Sequence, residues 1–292
     1  MPENLGTREG LEAALAAYLP PEGGHQERVI DAMRDAFLAG GKRVRPRLME
    51  RVYRACGGEG AEILPFMAAI EMIHTSSLIH DDLPAMDGDT LRRGRPTTWV
   101  TYGEDMAVLA GDGLMIYAFE TAEKALDMGA DPKRVARAMG VLARETGIYG
   151  MIGGQTADVY WTGKPLTEEL LTFIYENKTG ALVRACAKIG AIMAGAGEEL
   201  ISAAVRMADC VGFAFQIRDD ILDITADEAT LGKNVGSDER NQKTTYVSLH
   251  GLKAAQEAVE AYSRQALDLL GSFPGDTGEL EAMVRRLATR EK

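Results

Sequence analysis

The sequence is poor in the residues that build several fold classes. Only 3 of its 292 residues are cysteine. Cys56, Cys186 and Cys210 stand far apart with no CxxC pair, which excludes a disulfide scaffold and a zinc cluster. Aromatic residues make up 6% of the chain, and alternating β-branched runs are hard to find, so little is available to build sheets. No uninterrupted apolar run reaches the ~18 residues that suggest a membrane span. The first twenty residues carry early charge and lack the apolar core of a signal peptide. Basic charge is short as well: 32 Lys and Arg against 44 Asp and Glu leave a net charge of −12. A chain this acidic lacks the bulk charge to wrap a nucleic-acid backbone. The expectation is a cytoplasmic protein with reduced thiols, no nucleic-acid partner and no membrane span.

Helix-forming residues, by contrast, abound: Ala, Leu, Met and Glu dominate. Gly- and Pro-rich breaks separate long segments of helical periodicity. Candidate helices cover roughly 26–39, 44–55, 61–82, 104–127, 133–160, 167–193, 199–224, 244–270 and 277–290. Thr167 before Glu168 and Glu169 supplies a capping hydroxyl and acidic groups at the positive end of a helix dipole. The expected fold is all-α: one domain over 1–292, a bundle of long antiparallel helices.

Two acidic clusters carry the chemistry. The first, His80-Asp81-Asp82-Leu83-Pro84-Ala85-Met86-Asp87, has the form DDxxxxD. The second, Gln216 to Asp223, has the form QxxDDxxD, and its Gln216, Asp219, Asp220 and Asp223 share one helix face. Carboxylates crowded beside apolar residues such as Phe213, Phe215, Ile217 and Ile221 repel one another and lose hydration, so a cation should compensate. Oxygen-only ligands without His or Cys favour a hard ion, Mg²⁺ above all. An exposed acidic helix end would explain one cluster but poorly explains two. The terminal Glu of a calcium loop is missing.

Cations accompany the first cluster. Arg92 and Arg93 follow it, and Lys42 and Arg45 lie upstream in GGKRVRP. That motif is not a P-loop, because Ala36 stands at the first glycine position and Arg43 in place of Ser/Thr. His74, seven residues before Asp81, faces the same way along one helix. Each cation alone reads as a solvated surface charge; as a set they suggest two anion sites, one through metal and one direct. A third patch holds Gln155 and Asp158 in GGQTAD and Lys178-Thr179 in NKTG, with Lys233 and Lys243 further on. The glycines at 147, 150, 153 and 154 read as close helix packing rather than a phosphate loop.

GGKRVRP, EMIHTSSLIHDDLPAMDGDTLRRGRPT, GGQTAD, NKTGAL, FQIRDDILD and KTTYVSLHGL, in this order and spacing, resemble the trans-isoprenyl diphosphate synthases of the bacterial farnesyl/geranylgeranyl type, over nearly the whole chain. The resemblance implies a homodimer of all-helical subunits, each with a deep central cavity and the two clusters facing each other across its mouth. It implies three Mg²⁺ per site, with Mn²⁺ as a substitute, held by Asp81, Asp82 and Asp87 and by Asp219, with Asp220 and Asp223 less direct. Lys42, Arg45, His74 and Arg93 would bind isopentenyl diphosphate. Arg92, Lys178, Lys233 and Lys243 would bind the allylic diphosphate. Lys178, Thr179 and Gln216 would sit where positive charge develops, and segment 226–243 is a candidate lid.

The implied reaction is ionisation of the allylic diphosphate, attack by the isopentenyl double bond, and proton loss. Product length would follow cavity depth. Ser76 and Ser77, about one turn before Asp81, leave that depth open where farnesyl-producing relatives commonly place an aromatic at the position of Ser76. A C20 product is therefore expected ahead of C15, unless Met115, Tyr117 or Phe119 supplies the floor. The rival readings are a class I terpene cyclase, a non-catalytic subunit of a heteromeric synthase, and a metal-binding helical scaffold without chemistry. The intact isopentenyl set argues against the first, and the presence of both acidic clusters argues against the second.

Overall fold

The computed structural model describes residues 5–225 and 244–289. The chain forms two compact units: Met1–Glu50 with Glu59–Met139, and Arg51–Gly58 with Gly140–Lys292.

The first unit contains α1 (Arg8–Ala16), α2 (Glu27–Leu38) and the start of α3 (Val44–Ala55), then α4 (Leu64–Asp81), α5 (Thr98–Tyr102) and α6 (Glu104–Glu123). α4 is apolar on nearly every side, from Leu64 to Ile79, and is accordingly the buried central helix. It packs on α6 through the small residues Ala107, Ala110, Gly111 and Ala118, which let two helix backbones approach closely. Helix α1 was not expected from periodicity. Its signals are the Thr7 cap, which accepts from the Gly10 amide at 3.0 Å, and the buried pair Leu11 and Leu15.

A short hairpin interrupts the helices, β1 (Leu91–Arg92) pairing antiparallel with β2 (Arg95–Pro96). Its turn residues Arg93 (φ 55°) and Gly94 (φ 75°) both have the positive φ that a type I′ turn requires.

The second unit contains α7 (Pro132–Thr146, whose first turns belong to the first unit), α8 (Met151–Trp161), α9 (Glu168–Ile174), α10 (Gly180–Ala194), α11 (Glu198–Thr225), α12 (Tyr246–His250), α13 (Leu252–Leu270) and α14 (Gly278–Thr289). α11 packs between α10 and α13 around Ile217, Ile221, Ala255 and Val259. By length and composition α11 resembles a membrane span, but half of its apolar window is buried inside the fold, as befits a core helix.

Two expected long helices are divided and a third changes its winding. Segment 133–160 breaks at Gly147–Gly150, where a Cβ on Gly150 would lie 2.1 Å from the Glu145 carbonyl oxygen. Segment 244–270 breaks at Gly251 (φ 84°). Segment 167–193 stays continuous but widens to a π-helical turn at Tyr175–Thr179. Thr167 caps α9 as expected, accepting from the Leu170 amide at 3.3 Å.

Candidate active site

In the first unit, the basic motifs meet the end of α4. The α4 helix stops at Asp81, and the Asp87 amide folds back onto the Asp81 carbonyl at 2.9 Å, bringing the outer members of DDxxxxD to one helix end. Asp81 is half-buried and Asp87 exposed. Asp82 is different. It is buried, and Arg92 grips it: Nε lies 2.7 Å and 2.9 Å from its two oxygens, and Nη2 lies 2.6 Å from Oδ1. Burial raises the Asp82 carboxyl above its usual range, and Arg92 pulls against that shift. The expected metal ligand Asp82 thus spends its oxygens on the expected diphosphate contact Arg92.

Arg93, at the tip of the hairpin, donates from Nη1 to the Gly40 carbonyl. A Cβ on Gly41 would sit 2.9 Å from the Arg93 guanidinium, so glycine is what lets this loop accept the side chain. Desolvation and then the charges of Arg45, Arg93, Arg92 and Arg43 push the His74 imidazole well below its usual pKa and keep it neutral at pH 7. Arg45, His74 and Arg93 therefore form one neighbourhood, with Lys42 exposed on the same loop. A cleft of about 260 Å³ opens beside it, lined by Thr75, Asp82, Arg92, Arg93, Arg95 and Tyr102.

Ser76 is fully buried, with its hydroxyl unpartnered among the described residues, and Ser77 donates to the His74 carbonyl at 2.8 Å.

In the second unit, the π-helical turn presents Lys178 and Thr179. Lys178 Nζ lies 2.5 Å from Asp158 Oδ2 on α8, uniting two motifs of the third patch. Gly154 makes this possible: a Cβ there would lie 2.1 Å from the Lys178 backbone nitrogen. The packing role expected of these glycines holds at that position. Thr179 Oγ1 donates to Gln216 Oε1 at 2.9 Å, and Gln216 Nε2 reaches Asp220 Oδ1 at 3.4 Å. Asp220 is buried and also accepts from the Tyr175 hydroxyl and, at 2.9 Å, from the Tyr246 amide. It ties α12 to α11. Asp219 is half-buried and Asp223 buried, on the same face of α11. Lys233, Lys243 and the candidate lid 226–243 lie outside the described residues.

Among the described residues, no three His, Cys, Asp or Glu side chains converge into a metal cage. The donor chemistry still fits magnesium, which takes one or two carboxylates and completes its octahedron with waters and phosphate oxygens. Asp81 with Asp87, and Asp219 with Asp223, are pairs of that kind. Sequence reasoning missed Tyr175, Glu71 and Glu12, whose roles depend on burial and long-range pairing that no local pattern marks.

The family model described as polyprenyl synthetase matches residues 26–286. A farnesyl diphosphate synthase of Geobacillus stearothermophilus is 41% identical over 97% of this chain and 95% of its own length. The heterodimeric geranylgeranyl pyrophosphate synthase large subunit 1 of Arabidopsis thaliana chloroplasts is 44% identical over 90% of this chain and 72% of its own. Among solved structures, a geranyltransferase from Helicobacter pylori complexed with magnesium and isoprenyl diphosphate aligns at a TM-score of 0.83 with 34% identity, covering 96% of this chain and 93% of that one.

Proposed function

The chain belongs to the polyprenyl synthetase family, and on that premise we propose how its residues divide the work and what product they make. It is a prenyltransferase of isoprenoid biosynthesis, in line with relatives named farnesyl diphosphate synthase and geranylgeranyl pyrophosphate synthase, and it condenses isopentenyl diphosphate with an allylic diphosphate. The observation that carries the assignment of roles is the basic neighbourhood of Arg45, His74 and Arg93 beside the carboxylates at the end of α4.

Lys42, Arg45 and Arg93 bind the isopentenyl diphosphate as a direct anion site, with neutral His74 as a hydrogen-bonding partner. Arg92 faces the allylic diphosphate. Asp81 with Asp87, and Asp219 with Asp223, would hold magnesium, three ions in all, with manganese as a substitute. Magnesium bound there would supply charge neutralisation for the departing diphosphate. The guanidiniums add fixed positive charge that needs no reorganisation as the allylic C–O bond breaks. The carbonyl of Gln216 and the hydroxyl of Thr179 place oxygen dipoles where the allylic carbon turns positive. The isopentenyl double bond then forms the new C–C bond, and the released diphosphate takes the proton. The reaction requires that water, which would quench the cation, be kept from it. The isopentenyl set of three cations and a neutral histidine also separates this reading from a terpene cyclase, which has no second substrate to hold.

We further propose a C20 product, a homodimer and a cytoplasmic location. The small side chains of Ser76 and Ser77 support the longer product. Labelled isopentenyl diphosphate with five-, ten- and fifteen-carbon starters, with and without Mg²⁺, tests the whole reading by chromatography of products. Mg²⁺-dependent C20 formation is expected, and Asp81→Ala or Asp219→Ala should each lower turnover by roughly 10²-fold or more. Near-normal turnover in either variant would remove that cluster from the mechanism. Hydrocarbon release from an allylic diphosphate alone would favour the cyclase.

A further inference from the structure

Among the described residues, two that are not glycine have positive φ: Arg93 and Arg43. Backbone held in that region is strained and persists only where surrounding contacts over-determine it. Arg93 is explained by the hairpin turn. Arg43 (φ 48°) sits inside GGKRVRP, between Lys42 and Arg45, yet points away from any substrate: it is 3% exposed. Four hydrogen bonds engage its guanidinium. Nε and Nη2 fork onto the two carboxylate oxygens of Glu12 at 3.0 Å and 2.8 Å. Nη1 meets Glu71 Oε1 at 2.7 Å, and Nη2 also donates to the Phe37 carbonyl at 2.7 Å. The group lies 5.0 Å from the centre of the Phe37 ring.

These partners come from three elements. Phe37 lies in the last turn of α2, Glu71 stands one turn before His74 on α4, and Glu12 belongs to α1. Helix α1 precedes residue 26, where the family match begins. Two further hydrogen bonds tie the stretch before α1 to α3: Arg47 Nη1 donates to the Gly6 carbonyl at 3.5 Å and Nη2 to the Thr7 carbonyl at 3.3 Å.

We infer that α1 is a working part of the isopentenyl diphosphate site: Glu12 clamps Arg43, and Arg43 is the positioning residue that fixes the backbone carrying Lys42 and Arg45. The inference rests on the isopentenyl role proposed for those two cations. Position and charge make opposite forecasts here. Glu12 is an anion near a cluster of cations, so if it acted through charge alone, its removal would strengthen diphosphate binding. If it acts by holding the loop, its removal weakens binding, because Lys42 and Arg45 lose their geometry.

The test is steady-state kinetics of Glu12→Ala and Glu12→Gln in the full chain with each substrate varied separately, alongside thermal unfolding. Glu12→Ala should raise KM for isopentenyl diphosphate roughly tenfold or more while leaving KM for the allylic diphosphate close to wild type. Glu12→Gln, which keeps one acceptor for the fork, should fall between. Should Glu12→Ala fail to fold, Glu12→Gln carries the measurement alone. An unchanged or lowered KM for isopentenyl diphosphate overturns the inference, as does an equal rise for both substrates. A wild-type enzyme that condenses no isopentenyl diphosphate with any starter would instead overturn the functional reading itself.

Discussion

Asp82 and Asp220 are the second residues of their DD pairs, and both are buried and engaged inside the protein, one by Arg92, the other by Tyr175 and the Tyr246 amide. The sequence marked both as acidic members of a cluster; the resemblance set Asp220 apart from Asp219 as less direct but did not set Asp82 apart from Asp81, because burial and a partner ten residues away leave no local trace. Arg43 was similarly legible only as a residue that spoiled a P-loop. His74 offers a test at this scale. Its folded pKa is lowered, so below about pH 6.5 the unfolded chain takes up a proton that the folded chain refuses. The stability it contributes is intact above that pH and is lost as the pH falls through it. Urea midpoints measured from about pH 7.5 down to 5 should fall less steeply for His74→Gln than for wild type; parallel curves would show that another group sets the slope. Ser76 adds a second residue-scale test. Because it is fully buried, Ser76→Phe should cost about 1–3 kcal/mol of stability through overpacking. A product shortened toward C15 would place the end of the prenyl chain against it, whereas an unchanged distribution would put the floor elsewhere.

Helices were largely legible, and their interruptions less so. The periodicity of 44–55, 61–82 and 199–224 agrees with α3, α4 and α11 because each has a sustained apolar face and clear breaks at its ends. Glycines divided two of the longer segments, since Gly147–Gly150 and Gly251 adopt backbone geometry that a periodic pattern does not encode. The π-helical turn at Tyr175–Thr179 has no signature in composition, though such turns often mark functional sites. Its fit against α8 through Gly154 gives a prediction. Gly154→Ala forces a Cβ toward the Lys178 backbone, which cannot yield as a side-chain tip would, so the midpoint of thermal unfolding should drop by the equivalent of about 1–3 kcal/mol. Gly140→Ala is the control. Nothing lies within 4 Å of its Cβ, and it should instead stabilise α7 by about 0.4–1 kcal/mol. Equal effects of the two substitutions would mean that the close approach of α8 does not hold the turn.

The α6 helix buries Ala107, Ala110, Leu114 and Ala118 but leaves Val108, Leu109 and Ile116 facing outward, with Ile116 71% exposed. An apolar stripe of this kind on one helix is a candidate for self-association, and it supports the homodimer proposed above. Ile116→Lys should convert the dimer to a monomer in sedimentation velocity while keeping the helical circular dichroism of the wild type. A wild-type chain that sediments as a monomer, or a variant that stays dimeric, would remove α6 from the interface. A stable complex formed only with a different subunit would point to the arrangement named for the Arabidopsis relative.

The hairpin that carries Arg92 and Arg93 has a last consequence. Arg92 closes β1 while Arg93 sits in the turn with positive φ, so the two side chains part: one guanidinium turns to Asp82 and its neighbour to the Gly40 carbonyl. On the roles proposed above, a residue inserted or deleted in that bend would detach each arginine from the phosphate it serves. Two adjacent letters of the chain would thus act as a sorting device for two chemically alike cargoes, with a reading frame that tolerates no slippage.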